Sequence, residues 1–86
     1  MANEKQALTK ALGKRLIELR GDRTLTGFAD SIGLWPATLT NYENGRNLPG
    51  AYVLSKIAEH EDVDLNWLVT GHGWHPDDEV EYFIED

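Results

Sequence analysis

The stretch Leu25–Asn44, LTGFADSIGLWPATLTNYEN, decides how this chain folds. Its apolar residues fall at Phe28, Ile32, Leu34, Leu39 and Tyr42, with Ala29 four residues before Gly33. This is the pattern of two short helices about a tight turn. Gly33 can take the left-handed backbone that ends the first helix. Ala29 lets the helices approach closely, and Leu34 and Leu39 fill the wedge between them. Thr24 is the expected cap of the first helix, Leu25–Ile32, its hydroxyl accepting from an early backbone N–H. Gly27 stands where a capping box would want Glu or Gln, so that first turn is weak. Pro36 suits the start of the second helix, where its missing N–H would have no partner. Asn44-Gly45 reads as the stop.

Outward from this stretch, the spacing of Leu8, Ala11, Leu12, Leu16 and Leu19 predicts a helix over Ala7–Arg20. Residues 1–6 are polar and read as a flexible N-terminus. Gly13 weakens the helix by about 1 kcal/mol relative to alanine, unless packing requires it. After a loop over Arg46–Pro49, Gly50–Glu59 reads as a fourth helix with Val53, Leu54, Ile57 and Ala58 inward. Asp64 caps a fifth, which holds Leu65, Trp67, Leu68 and Val69, and Gly71 closes it. Val63 and Leu68 match a hydrophobic staple across that cap. Tyr42 and Trp67 lie at core spacing. The domain therefore spans 7–71, and 72–86 form an acidic tail. Beyond Pro76 the tail has six acids and no base, with Val80, Phe83 and Ile84 spaced for one side of a short helix. Together with Trp74 they are candidates for an interaction, as a dimerisation element or a linker.

Eighty-six residues suggest one small domain, burying only about 60% of its unfolded surface. The absence of cysteine excludes disulfides, thiolate metal sites and a cysteine nucleophile. The net charge of −7 is unevenly spread. Residues 1–50 carry seven bases (Lys5, Lys10, Lys14, Arg15, Arg20, Arg23, Arg46) against five acids, whereas 51–86 carry Lys56 against ten. No apolar run is long enough to span a membrane, and MANEKQALTK lacks the apolar core of a signal peptide. A cytoplasmic location is expected. Ser31 and Ser55 have no neighbouring histidine in the sequence, and no glycine loop could cradle a phosphate, so no enzyme is expected. His72, His75 and Asp77 lack helical register, and neither a metal nor a cofactor is expected. His60 reads as a surface residue at the end of the fourth helix, where a cation is favoured.

Two helices about a tight turn form the helix-turn-helix pattern, whose second helix typically enters the DNA major groove. Four stretches extend the likeness: FADSIGL, TLTNYENGR, LPGAYVLSKIAE and VDLNWLVTGHG. In this order and spacing they resemble the phage repressor and Cro-like, XRE-type helix-turn-helix family over residues 10–73. The last is similar to the WLLTGEG ending of phage and prophage repressors. The resemblance implies an all-α, compact five-helix bundle of the lambda repressor-like kind, binding double-stranded operator DNA as a homodimer, with no small-molecule substrate. It implies base contacts from Pro36, Ala37, Thr38, Thr40 and Asn41, and phosphate contacts at Asn44, Arg46 and Asn47. It further implies a buried ion pair between Arg20 and Glu43.

Three positions depart from the family pattern. Leu25 replaces a glutamine, Trp35 replaces the Ser or Thr cap of the recognition helix, and Pro36 stands where a polar or basic residue is common. No Lys or Arg occurs from Phe28 to Gly45, so an arginine–guanine contact is not available from that helix. Asn41, able to pair with adenine, is the favoured base reader. Arg23 and Thr24 join the candidate phosphate contacts. Trp35 can meet DNA, anchor a protein partner or fold back on the preceding helix. A rival reading makes the scaffold a protein–protein module that uses the apolar Leu34–Ala37 surface and the acidic tail. A third makes these residues one domain of a longer regulator, with the tail as linker.

Overall fold

A computed structural model describes residues 2–73 of the protein. Five helices follow one another: α1 Ala2–Arg20, α2 Leu25–Ser31, α3 Pro36–Glu43, α4 Ala51–Glu61 and α5 Leu65–Thr70. There is no strand among the described residues. The start of α1 is the main departure from the sequence pattern. Helix runs back through residues 2–6, which lack an apolar stripe but hold good helix formers such as Glu4, Lys5 and Gln6. Glu4 also sits in the first turn, where a negative charge favours the helix dipole.

The core is built from every helix. Leu12 and Leu16 of α1, Phe28 and Ala29 of α2, Leu39 of α3, Ile57 of α4 and Leu68 of α5 are buried, as are Ile32, Ala58 and Trp67. Tyr42, Leu34 and Leu19 pack on it from the edge. α1 lies against α3 and α5, α2 crosses α3, and α4 packs on α5.

The boundaries follow local chemistry. Thr24 Oγ1 accepts from Gly27 N at 3.0 Å and opens α2. Gly33, with φ of 73°, turns the chain towards α3. Asp64 caps α5, its carboxylate accepting from Asn66 N. Gly50 is the cap of α4 rather than its first residue. That helix continues two residues past Glu59, to Glu61, because Asp62 adopts the left-handed conformation that closes it.

Gly13 is explained by packing. A Cβ there would stand 2.6 Å from the carbonyl oxygens of both Tyr42 and Glu43. α1 therefore rests directly on the backbone at the end of α3. Arg15 forms a second long-range tie, donating from Nε to Leu68 O at 2.8 Å and from Nη2 to Val69 O at 2.9 Å. These carbonyls belong to the last turn of α5 and lack intrahelical partners. Burial lowers the Arg15 pKa, with Glu18 opposing. The guanidinium stays charged at any physiological pH.

Candidate nucleic-acid interface

At about 100° per residue, α3 separates into two faces. Leu39 and Glu43 turn into the protein and are buried. Ala37 and Asn41 lie opposite them. Ala37 is exposed, and Pro36, Thr38, Thr40 and Asn41 are half-buried around it. Ala37, Thr38, Thr40 and Asn41 thus lie away from the buried face of one short helix, whereas Pro36, three residues before Leu39, starts on the inner side. Trp35 occupies the cap position with suitable extended backbone but makes no side-chain cap bond. Its side chain is 80% exposed, so it is not folded into the core. It edges an apolar groove between α2 and α3, with Gly27, Leu34 and Pro36.

The inner side of α3 is anchored by a bidentate ion pair. Arg20 donates from Nε to Glu43 Oε2 at 2.9 Å and from Nη2 to Glu43 Oε1 at 3.1 Å. The pair is less sealed than the resemblance implies. The Glu43 side chain keeps 6% of its exposure, but that of Arg20 keeps 24%. Arg20 ends α1, and its Nη1 reaches out to Arg23 O at the surface. The hydrogen bond to Glu43 raises the Arg20 pKa, against a smaller effect of desolvation.

The expected phosphate ligands divide. Asn44, Arg46 and Asn47 are exposed in the turn after α3. Arg46 Nη1 donates to Asn41 Oδ1 at 3.1 Å, joining the turn to the outer face of the helix. Thr24 is exposed, and its hydroxyl can donate outward while it caps α2. Arg23 is engaged within the protein. It donates from Nη2 and Nη1 to the Glu61 carboxylate at 2.7 and 3.2 Å, and lies 4.6 Å over the Phe28 ring. That use of Arg23 was not legible, because Glu61 lies 38 residues away. Lys10, which no motif of the sequence marks as a contact, lies against the same turn, its Cγ 2.8 Å from where a Cβ at Gly45 would stand.

Trp74, Val80, Phe83 and Ile84 lie outside the described residues, as do His75 and Asp77. His72 is exposed, and its N–H donates to Thr70 Oγ1. Among the described residues no group of three potential ligands gathers as a metal site. No described helix is long and apolar enough to cross a membrane.

The helix-turn-helix family model matches residues 14–68, more than half of the chain. The chain belongs to the XRE-type, Cro/repressor-like helix-turn-helix family. Members of this family are DNA-binding transcription regulators, and that is the class of this protein. Comparison with curated proteins and with solved structures found no match. Within the match α2 and α3 are the two helices about the tight turn, and the Arg46–Asn47 turn follows α3.

Proposed function

We propose that this XRE-type protein is a sequence-specific operator-binding repressor of phage or prophage type, acting in the cytoplasm as a homodimer. The observation that carries the reading is the outer face of α3, where Ala37 is exposed and Thr38, Thr40 and Asn41 are half-buried, joined to exposed Arg46 through its bond to Asn41. Ala37, Thr38, Thr40 and Asn41 face base edges in the major groove, with Pro36 at the start of the helix beside them. Asn41 is the principal reader, its amide matched to adenine N6 and N7. Arg46 holds Asn41 Oδ1 in the free protein. On DNA it turns to a phosphate and releases that oxygen for the base. Thr24, Asn44 and Asn47 add phosphate contacts, which set the register but read no sequence. Arg23, paired with Glu61, is left out of this set.

Selection of bound duplexes from a random pool tests the reading directly. A defined half-site containing adenine is expected. Asn41→Ala should cost about 1–3 kcal/mol of discrimination at one base pair. Arg46→Ala should instead weaken all sequences alike. Unchanged discrimination by Asn41→Ala would remove it as the base reader. A second reading has one specific observation in its favour, the exposed Trp35 beside an apolar groove. It makes the scaffold a protein-binding module. A salt series separates the two, because binding through phosphates weakens steeply with added salt.

A further inference from the structure

α1 meets the end of α3 at two points that leave no room for a side chain. One is Gly13, against the carbonyls of Tyr42 and Glu43. The other is Gly45, with φ of 75°, where a Cβ would stand 2.8 Å from Lys10 Cγ and 3.0 Å from Lys10 Cα. These contacts seat the N-terminal half of α1 beside the turn that leaves the recognition helix. Beside the Gly45 contact, towards the start of α1, lies a shallow polar hollow. Lys5 and Lys10 belong to one wall, and Arg46 and Asn47 to the other. Three cations line it and no carboxylate does. All four of these residues are exposed. The ion pairs among the described residues leave both lysines out.

The hollow also has the right place and span. Arg46, on its wall, donates to Asn41 Oδ1, so it continues the outer face of α3. Five residues of helix separate the lysines by about 7.5 Å along the axis. Neighbouring phosphates on one DNA strand advance about 3.4 Å along the axis and, wound around it, lie about 7 Å apart, so each lysine can take one of two neighbours. An ammonium on a flexible stem suits a phosphate oxygen as a point charge.

The geometry points to a second phosphate clamp, in which Lys5 and Lys10 of α1, with Arg46 opposite, hold the DNA backbone beside the groove that α3 enters. This rests on the reading of α3 as the DNA-facing helix. The clamp supplies charge that the recognition helix lacks. It adds affinity for any sequence and discriminates none.

The test measures binding of the full chain to a random-sequence duplex across a salt series. It compares wild type, Lys5→Gln/Lys10→Gln and a control of equal charge, Lys14→Gln/Lys56→Gln. Circular dichroism and melting establish that each is folded. The clamp variant should lose about 1.8 from the slope of log K against log salt, two contacts at about 0.9 each. Between about 50 and 200 mM salt, wild type should then lose about tenfold more affinity than the clamp variant. The control should keep the wild-type slope. Wild-type binding with an unchanged slope in the clamp variant would overturn the clamp alone. An equal fall in both doubles would also overturn it, since net charge and not position would then be responsible. No wild-type binding at low salt would sink the DNA reading, and the clamp with it.

Discussion

Two residues show how local preference yields to what lies across the fold. In an isolated helix Gly13→Ala would stabilise by about 1 kcal/mol. Here the new Cβ would meet two backbone carbonyls at 2.6 Å, and backbone cannot turn aside as a side chain can. Overpacking of this kind costs about 1–3 kcal/mol. Gly13→Ala should therefore lower the urea midpoint, and a rise would show that α1 can lift off α3. Glu61 offers a pH test. Burial pushes its carboxyl up, but hydrogen bonds from Arg23 and His60, with their charges, outweigh this and hold it below the usual carboxylate range. A carboxyl with a lowered folded pKa stabilises above its unfolded value, about 4.3, and loses that contribution as pH falls. At neutral pH Glu61→Gln should be less stable than wild type, and the gap should close below about pH 4. A gap that persists in acid would mean that shape, and not charge, sets the role of Glu61.

At the scale of the element, α3 and α4 both start without a side-chain cap, but α4 has Gly50, itself a favoured cap residue, where α3 has Trp35. Trp35 holds the cap position but gives no cap bond, whereas Thr24 and Asp64 cap α2 and α5 from their side chains. A good cap is worth about 1 kcal/mol, and a side chain 80% exposed has little burial to lose. Trp35→Ser should therefore raise stability by about that amount. If Trp35 contacts a ligand, the same change should weaken binding. Higher stability with unchanged binding to DNA and to protein partners would leave the indole without a role. The helix ends marked by a residue of their own turn are the ones legible from sequence. Thr24, Pro36, Asp64 and Gly71 act within a turn of themselves, so each marks its own boundary. The hold of Arg15 on α5 spans 53 residues, and that of Arg23 on Glu61 spans 38. No periodicity reveals such pairs, because only the folded chain brings them together. The start of α1 is illegible in the sequence for another reason. Helix propensity without an apolar stripe leaves no periodic signal, although residues 2–6 are helical.

For the whole molecule the question is how a chain of net charge −7 holds DNA. Its bases lie in the half that builds α1 to α3, and the far half has one base against ten acids. Beside the end of α3 the bases that gather are Lys5, Lys10 and Arg46, so the charge there is small. A monomer with few phosphate contacts binds weakly and with a shallow salt slope. Two copies bound side by side would double the contacts and so nearly double the slope. By the geometry of helix-turn-helix dimers, the two recognition helices would enter successive major grooves about 34–36 Å apart, or a multiple of that. Selected sites should then be inverted repeats, with half-site centres about one helical turn apart. Moving the half-sites by half a turn should abolish the gain, because one helix would then face away from its groove. The check is binding to duplexes that carry one half-site, two in phase and two out of phase. Equal affinity for all three would mean that the protein reads DNA as a monomer. Its specificity would then rest on Asn41 and its neighbours alone.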